Sequence, residues 1–170
     1  MIQMKKRYTV FGLLAGVIIA LDQITKTIIS RTIPLYDSVP VIDGFFNLVH
    51  IHNRGLAFGI MNRPGNDITF NILTLITIVA VIGLLIWYIK FDDTSWKVTI
   101  AFSLILGGAV GNLIDRLYLK KVIDFLDFYI GSRHWPAFNV ADSAITIGTC
   151  LLAYFLFFTP QPQTKKISEK

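Results

Sequence analysis

Residues Gly107 to Ser143 read GGAVGNLIDRLYLKKVIDFLDFYIGSRHWPAFNVADS, a stretch in which one apolar segment runs into a polar cluster and a second leaves it. Asn112, Asp115, Arg116, Asp124, Asp127, Asn139 and Asp142 fall inside it; Phe102 to Val110 before it and Ala144 to Phe158 after it are apolar. On insertion scales a charged side chain at mid-bilayer costs about 2.5–3.5 kcal/mol, so charges this close to apolar runs point to function. The solvent is inferred from the totals: 54% hydrophobic residues and 16% charged residues in 170 suit a bilayer better than a soluble globule. A mean hydropathy of +0.60 agrees.

Moving toward the N-terminus, the next span runs from about Lys97 to Tyr118, and its Gly107, Gly108 and Gly111 let a neighbouring helix approach closely. Ile68 to Ile89 has no charge at all and is the cleanest span. Phe91 to Trp96 is a tight turn between these two. Between Arg31 and Asp67 there is no spanning candidate; Pro34 and Pro40 break helix, and VIDGFFNLVHI (41–51) carries the β-branched and aromatic residues of short strands. A connection that long binds something or covers a site. The chain begins with Lys5, Lys6 and Arg7 before an apolar run, as a secretory signal does, but no small-residue cleavage site follows and the run reaches Ile29. It reads as an uncleaved first span. On the C-terminal side the fourth span runs from about Phe138 to Phe158, followed by Pro160 and a polar tail over 161–170. The spans are thus expected at about 8–29, 68–90, 97–118 and 138–158, within a single membrane-embedded domain.

Net charge is +5, but the basic residues are scattered and form no basic helix, so membrane lipids are expected as partners and nucleic acid is not. The single cysteine, Cys150, excludes a disulfide framework and reads as a core residue. Four spans put both termini on one side. Of the 16 Lys and Arg residues eight fall on each side, so charge counting ties. Cytoplasmic termini are favoured because Lys26, Arg54 and Arg116 sit among polar motif residues, whereas the termini are plain basic flanks.

An up-down arrangement gathers Asp22 and Lys26, Asn53, Asn112 to Arg116, Asn139 and Asp142 at one membrane face. Asp22 and Lys26 are spaced for an i,i+4 ion pair, either marking the interface with a snorkelling lysine or bracing a site. Asn112, Asp115 and Arg116 share a helix face and suggest an inward polar network. Asn139 and Asp142 have capping-box spacing, a structural reading that competes with a catalytic one. Asp124 lies in apolar surroundings on the same connection as Asp142, while Asp127 reads as a loop residue. Two carboxyls about 3 Å apart share a proton, so one can take a proton from water while the other polarises a carbonyl: amide hydrolysis by acid–base catalysis. That chemistry uses no cofactor and no metal. No zinc signature, Ser elbow or phosphate loop is present, and His50 and His52 read as a strand surface. A carboxylate-dependent membrane transporter is the alternative, although no internal repeat is visible.

Five blocks in order, Asp22-x-x-x-Lys26, Asn53-x-Gly55-x-Ala57-Phe58, Gly107-Gly108-Ala109-x-Gly111-Asn112-x-x-Asp115-Arg116, Val122-x-Asp124-Phe125 and Phe138-Asn139-x-Ala141-Asp142, resemble the lipoprotein signal peptidases, or signal peptidase II. The resemblance covers essentially the whole chain. It implies a mainly α membrane protein of four transmembrane helices, with a small extramembrane β-cradle and a surface helix between helices 1 and 2. It implies an aspartic endopeptidase of the bacterial inner membrane, active site toward the outer face, that cuts diacylglyceryl-modified prolipoproteins before the lipid-bearing cysteine. By motif, Asp124 and Asp142 would be catalytic. Asn53, Asn112, Arg116 and Asn139 would orient substrate and acids, and Asp22, Lys26, Asp115 and Gly108 would support the site. The cyclic peptide globomycin would be an inhibitor.

Overall fold

A computed structural model describes residues 2–55, 67–90 and 95–158. Its elements follow the chain as α1 (Ile2–Thr32), β1 (Ser38–Ile42), β2 (Phe46–Asn53), α2 (Asp67–Lys90), α3 (Trp96–Leu119), β3 (Val122–Ile130), β4 (Arg133–His134) and α4 (Val140–Phe158). The fold is mainly helical. All four helices are long and apolar enough to cross a membrane. At 1.5 Å per residue a 31-residue α1 spans about 46 Å, so it outreaches a ~30 Å hydrocarbon layer.

Helix α3 is central, with 61% of its most apolar window buried against 6–22% in the others. Glycines make this possible. A Cβ on Gly107 would come within 2.7 Å of Ile18 Cβ, and one on Gly148 within 2.8 Å of the Ala101 carbonyl. A Cβ on Gly108 would collide with the Ala141 carbonyl oxygen, so α3 and α4 touch backbone to backbone there. Phe11, Ala15, Tyr88, Val98, Ala101, Phe102, Leu106 and Leu152 fill one end of the bundle. Ile29, Ile33, Ile123 and Phe125 fill the space under the sheet at the other.

The sheet is antiparallel in the order β1-β2-β3-β4. Only half of it comes from the connection after α1; β3 and β4 come from the segment between α3 and α4, which the sequence reading treated as a plain connection. VIDFLDFYI packs on both faces along its first half, so it shows a nearly continuous apolar run instead of alternation. Asp127 is accordingly a strand residue and buried. It accepts from Asn47 Nδ2 at 3.0 Å and from His134 Nδ1 at 2.9 Å. Cys150 is exposed, facing where lipid would lie, because hydrophobicity alone does not separate lipid-facing from core positions. The surface helix expected before α2 would fall in 56–66, outside the described residues, as do Ala57, Phe58, most of the turn at 91–96 and the 161–170 tail.

Candidate active site

Strand pairing brings the distant blocks together. In the β2–β3 ladder Asn53 opposes Val122 and Ile51 opposes Asp124, so the Asn53 side chain reaches the Asp124 carboxylate. Phe138 then bridges to Leu126, which delivers the next residue, Asn139, to the same place just before α4 begins. Asp142 follows within the first turn of α4.

Asn139 holds both carboxylates. Its Nδ2 donates to Asp124 Oδ1 at 2.7 Å, and its backbone N–H donates to Asp142 Oδ2 at 3.2 Å. In return the Asp142 N–H donates to Asn139 Oδ1 at 2.9 Å. This is a reciprocal capping box, so the structural and the site readings of this pair describe the same atoms. Asn53 Nδ2 donates to Asp124 Oδ2 at 3.0 Å, and its Oδ1 accepts from Gly55 N–H, which fixes the amide's orientation. Asn112 Nδ2 donates to Asp142 Oδ1 at 2.8 Å.

Beneath this layer lies a buried ionic one. Lys26 Nζ sits 2.8 Å from Asp22, 3.0 Å from Asp115 and 3.0 Å from Asn112 Oδ1. Asp22 also accepts the Ala141 N–H, tying α1 to the start of α4, and Asp115 accepts the Ile123 N–H, tying α3 to β3. Of the two readings of Asp22 and Lys26, the geometry favours the brace: both are fully buried and a snorkelling lysine would be exposed. Gln23, which the motif reading passed over, donates its amide to Asp22, Asp115 and the Gly111 carbonyl at 3.0–3.2 Å. Only its position beside Asp22 hinted at that. Among the described residues no buried side-chain N or O lacks a partner.

Asp124 and Asp142 both line a cavity of about 470 Å³, with Asn53 and Arg116 on its wall. Arg116 makes no hydrogen bond or ion pair among the described residues, though it feels the charge of Asp142, Asp124 and Asp115. Asn112 and Asn139 sit behind the two carboxylates; Asp22, Lys26 and Asp115 lie deeper, and Gly108 serves the α3–α4 contact. The rest of the wall is mostly apolar: Val122, Trp135, Pro136, Phe138, Ile145 and Ile147 among others. These residues carry no motif and follow from their neighbours in the chain. Burial, then the nearby Asp142 charge, pushes Asp124 up to about 7, against the hydrogen bonds from Asn53 and Asn139 and the Lys26 charge, which pull it down. A carboxyl that keeps its proton near neutral pH beside a second one suits proton transfer.

The family profile described as Signal peptidase (SPase) II matches residues 14–158. The chain is 42% identical to a lipoprotein signal peptidase of Geobacter metallireducens, over 95% of this chain and 99% of that one. It is 46% identical to the lipoprotein signal peptidase of Desulforapulum autotrophicum, over 88% and 93%. Two structures of bacterial membrane enzymes determined by the in meso method superpose with a TM-score of 0.77 each. They are 34% and 35% identical, covering 92% and 89% of this chain and 95% of each of theirs. With a profile match over most of its length, and relatives at this identity, the chain belongs to the signal peptidase II family of membrane peptidases.

Proposed function

We propose that this protein is an aspartic endopeptidase that removes signal peptides from diacylglyceryl-modified prolipoproteins, cutting before the lipid-bearing cysteine, with Asp124 and Asp142 as the acid–base pair. One observation carries the reading: the two carboxylates line one cavity and are both held by Asn139. The names of the relatives, lipoprotein signal peptidase, supply the substrate class.

With one proton between the two carboxyls, the ionised one takes a proton from water as the water oxygen attacks the scissile carbonyl carbon. The protonated one donates to the carbonyl oxygen. The tetrahedral adduct then collapses: its C–N bond breaks and a proton passes to the departing amine. No covalent enzyme intermediate forms. Asn53, Asn112 and Asn139 aim the carboxylates, Arg116 offers N–H donors to substrate, and Asp22, Lys26 and Asp115 brace the layer beneath. The apolar wall keeps acyl chains in lipid while the peptide reaches the acids; globomycin would occupy the same cavity. We place the enzyme in the bacterial inner membrane with both termini cytoplasmic and the cavity toward the outer face.

The test is cleavage of a lipidated precursor by purified protein, read as a mass shift. Asp124→Asn and Asp142→Asn are expected to remain folded and inserted while losing at least about 10²–10⁴ in rate. Activity retained by either variant removes that residue from the pair.

A further inference from the structure

A second polar chain crosses the same end of the molecule outside the cavity. His50 Nδ1 lies 2.8 Å from the Ile33 carbonyl oxygen, just past the end of α1, and can only donate to it. A neutral imidazole has one donor and one acceptor nitrogen, so His50 Nε2 accepts, and His52 Nε2, 3.1 Å away, donates. His52 Nδ1 is left to accept, and Lys121 Nζ donates to it at 3.1 Å. The carbonyl at one end and the ammonium at the other therefore fix both tautomers. Lys121 follows Lys120, the left-handed cap of α3 (φ 59°), so the chain joins the ends of α1 and α3 across β2. The backbone closes the same corner: Tyr36 N–H donates to His50 O, and His50 N–H to Asp37 O.

The residue after His52 is Asn53, whose amide holds Asp124. We propose that His50, His52 and Lys121 are positioning residues for the peptidase reaction, a relay that clamps the end of β2 so that Asn53 stays against Asp124, and that the clamp opens when either imidazole gains a proton. The proposal rests on Asp124 being one of the acid–base pair. An imidazolium has no acceptor nitrogen, so a proton on His50 breaks the bond from His52, and one on His52 breaks the bond from Lys121. The titratable and charged groups facing His52 are His50 on its own strand, Lys121 from the α3–β3 turn and the Tyr36 ring from the α1–β1 connection. Among the described residues no carboxylate pairs with either ring to welcome the charge. Burial, Lys121 and His50 accordingly hold His52 down to about 4. A depressed histidine contributes its stability in full above the ordinary 6.5 and loses it as pH falls toward 4, so the clamp is closed at neutral pH and weakens through that window.

The test is steady-state cleavage of a lipidated precursor from pH 3.5 to 8.5, with thermal melting, for the full chain and its His52→Ala, His52→Gln, Lys121→Met and Asp124→Asn variants. His52→Ala is expected to lower kcat by about 10- to 100-fold with KM within about two-fold, as a small misplacement of a catalytic group does. His52→Gln should recover part of the loss, since its amide can donate to His50. Lys121→Met should move the acid limb of the pH profile upward by about one unit, because the ring loses a neighbouring positive charge. Wild-type kcat in a folded His52→Ala, together with an acid limb unmoved in Lys121→Met, overturns the proposal. If His52→Ala does not fold, the Lys121→Met limb decides alone. An inactive Asp124→Asn beside unaffected relay variants sinks the relay only, whereas an active Asp124→Asn sinks the acid–base pair and with it the relay's target.

Discussion

At the scale of single residues the proton on Asp124 bears on stability and, in the proposed reaction, on rate. Its folded value of about 7 stands above the ordinary 3.8, so folding takes up a proton between those values. The stability linked to it is complete below about 4 and is lost as pH rises through about 7. A reaction that needs that proton loses rate over the same upper limb, so kcat/KM should fall as pH rises through about 7. Asn53 sharpens the assignment. Its N–H donates to the carboxylate and favours the ionised form. Asn53→Ala should therefore shift the alkaline limb to higher pH as well as slow the reaction, and an unmoved limb would assign the upper pH dependence to another group.

Between elements, two contacts decide how α1, α3 and α4 meet. Among the described residues Lys26 is the cation set between the buried carboxylates of Asp22 and Asp115, so Lys26→Met leaves buried charge uncompensated and should cost about 3–5 kcal/mol, read as a lowered melting temperature. Gly108→Ala drives a methyl into the Ala141 carbonyl and should cost about 1–3 kcal/mol, whereas Gly16→Ala, with nothing within 4 Å, should be neutral or stabilising by up to ~1 kcal/mol. Equal melting temperatures for the two alanine variants would mean that α4 moves aside at no cost. The helices were legible because each presents a long apolar run, and so was the gathering of Asp22, Lys26, Asn112 and Asp142, because span ends in an up-down bundle alternate between two faces. Strand β3 was not. A two-sided buried strand has no alternation, and its pairing with β2 joins residues some 70 positions apart, which no local pattern announces. Cys150 was misread for a related reason: in a bilayer both faces of α4 are apolar, and the buried positions near it are Gly148 and Leu152. His50 was taken for a strand surface and is buried, because its partner, the Ile33 carbonyl, is supplied by the end of another element.

For the whole molecule, the orientation proposed above draws its support from which basic residues sit among the site residues. Sequence counting splits Lys and Arg evenly between the two sides. At the cavity end, however, Lys26 is spent on Asp22 and Asp115, Lys121 on His52, Arg116 feels three carboxylates and Arg54 lies over the Phe70 ring. At the other end Arg7 is buried against Tyr88, donating to its hydroxyl and its carbonyl, and Lys97 lies over the Phe155 ring. As read in the sequence, the cavity-end cations sit among motif residues while the termini carry plain basic flanks, and it is on this that the proposal of cytoplasmic termini rests. The lone cysteine makes this testable. In a Cys150→Ala background, Ser38→Cys lies on the exposed first strand and Gln163→Cys lies in the tail. A membrane-impermeant maleimide added to intact spheroplasts should label position 38 and reach position 163 only after permeabilisation. The reverse pattern would invert the topology and put the cavity on the cytoplasmic side, where a substrate already carried across the membrane could not meet Asp124 and Asp142.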